Sequence, residues 1–268
     1  MSKRTRAENE PQRTARFYLA CAGIGLLAGM LSGMFGVGGG TVIVPMLVLL
    51  LGFDQRRAAG TSLGAIVLTA PVGVVAYALN GSVDWVAGLI LAVGAVVGAQ
   101  IGTWLLPRVS QVALRWAFVA FLLGVIVSLF LVIPSREAVL ELSWLSITGL
   151  VILGVVTGTV AGLIGVGGGI VVVPTLMLAF GMSDLTARGT SLLMMIPTAL
   201  SGTAGNLRRQ NVDLSAAATV GIASCATTAL GVWVATLLPP HVANALFAVF
   251  LGFIAIQMAL RAVRGARA

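Results

Sequence analysis

Displaced by 129 positions, the sequence lies on itself: GMFGVGGGTVIVPML at 33–47 falls on GLIGVGGGIVVVPTL at 162–176. The register then runs on without a gap, placing Gly60-Thr61-Ser62-Leu63 on Gly189-Thr190-Ser191-Leu192, Val83-Asp84 on Val212-Asp213, and Gly102 and Trp104 on Gly231 and Trp233. Shared apolar composition does not reproduce a glycine string with a proline at a fixed offset and a train of landmarks behind it. The chain is a duplication, and its fold must be one that two copies of a single unit can build together.

The unit is made for lipid. Hydrophobic residues are 59% of the 268 and charged residues 9%, too few to coat a soluble domain of this size. The formal charge of +8 comes without a long basic run and with only 6% aromatic residues, so nucleic acid is not an expected partner; the bilayer is. Cys21 and Cys225 both lie in apolar runs and read as small core residues, implying neither a disulfide nor a metal site. No cofactor is expected.

Each half divides into five apolar segments, at about 17–36, 40–52, 61–80, 86–106 and 112–133, then about 143–165, 169–181, 190–207, 214–238 and 242–262. Residues 1–16 read as a polar cytoplasmic tail retained on the protein, 17–133 and 143–262 as the two membrane repeats, 134–142 as an extracytoplasmic connector and 263–268 as a second cytoplasmic tail. If every segment crosses with the N-terminus inside, fourteen of the sixteen basic residues are cytoplasmic and only Arg136 and Arg188 are outside, with Asp84, Asp184 and His241 in the outer loops. An odd number of crossings per unit then inverts one repeat relative to the other. The expected fold is therefore an all-α polytopic membrane protein of two inverted-topology repeats, each with a discontinuous glycine-rich segment.

That discontinuity is read from length. The second segment of each half has about a dozen residues where a straight span needs about 20, and Pro45 and Pro174 stand five positions after the last glycine of GVGGG. Proline suits a first helical turn, so helices are expected to begin near Pro45 and Pro174, with 41–44 and 170–173 extended. Unpaired backbone of this kind cannot face hydrocarbon, so the glycines should mark a protein-lined cavity. A nucleotide loop is the competing reading of GVGGG, but the motif follows an apolar span rather than a short strand, and it occurs twice with opposite orientation.

Paired glycine strings followed by Val-Pro, in two halves of a small polytopic chain, resemble the sulfite exporter TauE/SafE family of membrane transporters. The resemblance rests on Gly36-Val37-Gly38-Gly39-Gly40 with Pro45, Gly165-Val166-Gly167-Gly168-Gly169 with Pro174, and the two Gly-Thr-Ser-Leu strings. It implies transport of sulfite or a related organosulfur anion such as sulfoacetate. From the residues themselves, broken segments at matching places in two inverted halves point to a carrier site, because helix N-termini offer free N–H donors and partial positive charge to an anion.

The candidate substrate-binding residues are accordingly Gly36, Gly38, Gly39, Gly40 and Pro45 with Gly165, Gly167, Gly168, Gly169 and Pro174, joined by Thr61, Ser62, Thr190 and Ser191. The two Thr-Ser pairs open the third segments, where capping the helix competes with binding solute. Gln100 and Gln257 read as interhelical hydrogen-bond formers. No Asp, Glu, His or Lys falls inside any of the ten segments, which argues against an intramembrane enzyme and against a proton relay; a membrane assembly partner without transport would leave the broken segments unexplained. A potential-driven anion exporter is the expected function.

Overall fold

The computed structural model describes residues 15–106, 108, 116, 119–120, 123, 126–127 and 143–266. Residues 1–14 of the first tail, most of the fifth segment, the connector and residues 267–268 lie outside the described residues. The elements are helices α1 (Ala15–Phe35), α2 (Gly40–Leu51), α3 (Gln55–Leu79), α4 (Trp85–Leu105), α5 (Trp144–Ile164), α6 (Gly169–Ala179), α7 (Asp184–Arg208), α8 (Leu214–Leu237) and α9 (Pro240–Ala266). The starts of α1, α2, α3 and α4 recur 129 residues later as the starts of α5, α6, α7 and α8, so the duplication visible in sequence is a duplication of structure.

Five helices, α1, α3, α4, α5 and α8, are long and apolar enough to cross a membrane. Their outer faces carry what lipid requires: Leu19, Leu79 and Leu145 are 70%, 84% and 84% exposed. All five tryptophans are exposed, and Trp85, Trp104, Trp144 and Trp233 lie at or near helix ends, where indole rings favour the membrane–water interface. The protein is an all-α polytopic membrane protein.

Local chemistry sets the helix starts. Asp54 accepts hydrogen bonds from the Arg56 and Arg57 amides at 2.9 and 3.1 Å and so caps α3. Ser183 caps α7 through the Thr186 amide at 3.2 Å, while Asp84 and Asp213 cap α4 and α8. The third helices thus begin six residues before Thr61 and Thr190, which are not caps. The second helices also begin earlier than expected, at Gly40 and Gly169; residues 41–44 and 170–173 are helical, and Pro45 and Pro174 sit inside. A proline there removes only one intrahelical bond, close to the end where amides have no intrahelical partner in any case.

The two repeats are interleaved. Helix α4 packs along α5, and α1 along α8, so the fourth helix of each unit lies on the first of the other; α3 and α7 meet at the centre. The tight pairs are glycine zippers. Gly25, Gly29 and Gly33 of α1 lie on the backbone carbonyls of Val220, Ser224 and Thr228, and their counterparts Gly154, Gly158 and Gly162 lie on those of Leu91, Ala95 and Ala99. Ser224 and Thr227 donate to Gly25 and Leu26 carbonyls at 2.9 and 2.6 Å across the first pair. Gln100 makes its expected interhelical bonds, to the Ser201 carbonyl at 2.9 Å and hydroxyl at 2.8 Å.

A side chain at a zipper position must push the paired backbones apart. Gly29→Val and Gly158→Val are expected to cost about 1–3 kcal/mol or more and to lower the melting temperature by at least about 2 °C. Gly23→Val, on the same helix with open space around its Cβ, is the control and should melt with the parent protein in detergent.

Candidate functional site

The interleaving brings the two glycine motifs face to face. A Cβ placed on Gly40 would lie 2.7 Å from the Gly165 carbonyl oxygen and 2.8 Å from the Val166 Cα; one placed on Gly169 would lie 2.6 Å from the Gly36 carbonyl oxygen and 2.7 Å from the Val37 Cα. Each motif therefore closes the other, and only glycine permits the distance.

The same residues make the break between helices. Gly36, Gly38 and Gly39 have φ of 68°, 73° and 71°, and Gly165, Gly167 and Gly168 have φ of 81°, 82° and 86°, a region in which a side chain is strained. This left-handed turn reverses the chain after α1 and α5 and starts α2 and α6 at the junction. Neither helix has a side-chain cap. Two uncapped N-termini thus meet at one buried place, each with donors that its own helix cannot use and with partial positive charge.

Around the junction the halves differ. Ser191 donates to the Gly36 carbonyl at 3.0 Å. Its counterpart Ser62, whose Oγ would be 3.0 Å from a Cβ on Gly40, is fully buried and has no hydrogen-bond partner among the described residues. Thr41, next along, is likewise buried without a partner, and its counterpart is Ile170. Ile66 and Met195, themselves 129 residues apart, plug the junction: Met195 Sδ lies against Gly38, and both side chains lie against Gly167.

Thr61 and Thr190 are engaged elsewhere. The Thr61 hydroxyl accepts from the Asp213 amide at 3.0 Å and the Thr190 hydroxyl from the Asp84 amide at 2.9 Å, tying each third helix to the N-cap of the other repeat's fourth. Pro45 and Pro174 are each the sixth residue of their helix rather than its first turn. Of the candidates read from sequence, the glycines and the two serines converge; the threonines and prolines frame them.

Sequence reasoning places Asp184 and Arg188 in an outer loop, and the structure corrects this. Both belong to the first turns of α7 and are buried, 0% and 1% exposed, so an acidic residue does lie within a helix of the bundle. Arg188 Nη2 is 3.6 Å from the Asp184 carboxylate, and Nη1 donates to the Met34 carbonyl at 2.9 Å. Tyr77 of α3 donates to the adjacent Gly33 carbonyl at 2.7 Å. The signal that could have found this cluster is a mismatch between repeats: Arg188, Asp184, Tyr77 and Thr41 stand opposite Ala59, Gln55, Asn206 and Ile170.

Comparison with known proteins agrees with this architecture. The family model described as Sulfite exporter TauE/SafE matches residues 1–129 and 150–268, two stretches that correspond to the two repeats. A probable membrane transporter protein of Haemophilus influenzae is 30% identical over 266 residues, covering 91% of this chain and 99% of that protein. The probable membrane transporter protein YdhB of Bacillus subtilis is 30% identical over 190 residues, covering 70% of this chain and 78% of its own length. The Arabidopsis thaliana protein named Sulfite exporter TauE/SafE family protein 2 is 28% identical over 116 residues, 43% of this chain and 25% of that one. No solved structure matches. With its duplicated helices, its paired glycine breaks and a family match over nearly its whole length, this chain belongs to the sulfite exporter TauE/SafE family of membrane transporters.

Proposed function

We propose that the protein exports a small oxyanion, sulfite or an organosulfur anion of the sulfoacetate kind, through a midplane site between the two GVGGG motifs. The observation that carries the reading is the meeting of two uncapped helix N-termini at a glycine-lined junction beside the unpartnered Ser62 and Thr41 hydroxyls. The helix N-termini and the two hydroxyls supply donors, which suits an acceptor-rich anion. The names of the family and of the Arabidopsis relative add the sulfur chemistry.

In this reading the repeats, 17–133 and 143–262, are inverted across the membrane, and both termini are cytoplasmic. Support comes from the segregation of basic residues and from the exchanged contacts, in which Thr61–Asp213 is repeated as Thr190–Asp84 with the halves swapped. Asp184 has an arginine at its side, so a membrane potential and not a proton relay is the proposed driving force. Each unit of charge gains about 2.3 kcal/mol per 100 mV, so a dianion is pushed out of a negative interior by more than about a thousandfold.

In vesicles with a clamped potassium-diffusion potential, sulfite or sulfoacetate flux should follow the imposed voltage; flux that ignores voltage and tracks a proton or sodium gradient would refute the driving force, and no anion flux at all would refute the substrate. Ser62→Ala should weaken half-saturation by about tenfold or more, the worth of a hydrogen bond to a charged group, without loss of stability, because its hydroxyl bonds nothing described; Ser191→Ala should instead lower the melting temperature. For topology, with Cys21 and Cys225 replaced, a cysteine at the exposed Asn80, in the turn before the buried Ser82, should react with an impermeant thiol reagent from outside and one at Arg57 or Arg208 should not.

A further inference from the structure

We propose that Arg188 is the residue that recognises the anion, binding it along one edge of its guanidinium; this rests on the oxyanion reading above and gives it a charged partner. Among the described residues Arg188 is the only arginine or lysine that is buried. Of its five N–H donors, the structure gives Nη1 an acceptor in the Met34 carbonyl, while Nε and Nη2 are buried with no hydrogen-bond acceptor among the described residues. The Asp184 carboxylate, 3.6 Å from Nη2, balances the charge without closing a hydrogen bond. Nε and Nη2 form one edge of the guanidinium, with N–H bonds pointing side by side. That spacing matches two oxygens of a carboxylate, sulfite or sulfonate, and such a fork is the strongest hydrogen-bonding arrangement an arginine makes with an anion. Left without an acceptor, the edge is costly to bury.

A purely structural role for the charge does not account for it. Arg188 packs its Cα against Gly36, with a Cβ on that glycine 2.6 Å away, and Ala59 packs its Cα against Gly165 in the same manner. The second helix break is thus closed by alanine, with Gln55 and Asn206 where the first has Asp184 and Tyr77. The backbone junction needs no cation, since the molecule builds it once without one. The charge is an addition to one half, next to Gly36 of the first glycine motif, and the unpartnered Ser62 hydroxyl lies against Gly40 of the same motif. Nη1 on Met34 and the Tyr77 hydroxyl on Gly33 occupy carbonyls in the last turn of α1, and Tyr77 lies against the guanidinium there, so the side chain is held at the end of α1 beside the first glycine motif.

Purified protein titrated with sulfite, sulfoacetate, phosphate and acetate by calorimetry tests this, with Arg188→Gln and Arg188→Lys alongside. The parent should bind at least one of these anions. Arg188→Gln, which keeps a donor for Met34, should bind it at least tenfold more weakly while eluting as the parent does on size exclusion. Arg188→Lys keeps the charge but not the fork and should fall between them; it decides the matter if the glutamine variant does not fold. Parent-like affinity in a folded variant overturns the role of Arg188 and leaves the oxyanion reading standing. Binding of phosphate or acetate alone, lost in Arg188→Gln, upholds Arg188 and overturns the sulfur substrate. No binding of any of the four by the parent overturns both.

Discussion

Broken backbone inside a membrane has to be sheathed by protein. An amide or carbonyl without a partner costs several kcal/mol in hydrocarbon, so a helix interrupted at mid-depth is stable only where something polar or close-packed covers the interruption. Here the cover for each break is the other break: Gly40 lies on Gly165 and Val166, and Gly169 lies on Gly36 and Val37. The remaining architecture serves that meeting. The zippers of α1 on α8 and α4 on α5 hold the first helix of each unit against the fourth of the other, and the caps at Asp54, Ser183, Asp84 and Asp213 set where the surrounding helices begin. One unit alone would leave its break open, which is a physical reason for the fold to exist as a duplication.

Much of this was legible from residues. The repeat offset, the apolar class, the short second segments and the interruption at GVGGG all follow from spacing and composition, and the structure reproduces the offset helix by helix. Less legible were the helix starts. Proline at Pro45 reads as a first-turn residue from sequence, but two glycines in the left-handed region can start a helix by themselves, and proline is then tolerated one turn later. Thr61 and Thr190 read as caps because they precede apolar runs; the true caps, Asp54 and Ser183, were hidden behind turns of polar helix that the apolar pattern does not register. Asp184 and Arg188 were misplaced for the same cause. Charge marks a loop by default, and only tertiary packing reveals a charge that has been taken inside.

The pseudo-symmetry separates what builds the fold from what distinguishes the halves. Positions that keep their identity across 129 residues, such as the glycines, Thr61 and Thr190, or Asp84 and Asp213, make contacts that appear twice with the halves exchanged. Positions that change polarity make contacts that appear once: Ser224 and Thr227 on the α1 carbonyls and Gln100 on Ser201 stitch neighbouring helices, while Tyr77, Asp184 and Arg188 gather at the end of α1 beside the first glycine motif. A duplicated gene starts with two equal halves, so a polar residue present in only one of them is not required by the contacts that the two halves share.

A carrier must also pass between two states of nearly equal free energy, since an equilibrium biased by more than a few kcal/mol strands the solute on one side. Exchanged contacts supply such a pair. If one half relaxes toward the conformation of the other, the Thr61–Asp213 and Thr190–Asp84 bonds trade environments, and the sum of the two changes little. Ile66 and Met195 hold the place where that exchange would act, one from each half, across the glycines. Both are unbranched at their tips, and methionine above all repacks at small cost. Against this balanced background a single unbalanced charge has a large effect. Arg188 has a counterpart in alanine, so its contacts belong to one conformation of one half, and an anion on its Nε–Nη2 edge changes the energy of that conformation without an equal change in the other. In a symmetric frame, the conformation that a bound anion favours is then set by where the asymmetry sits.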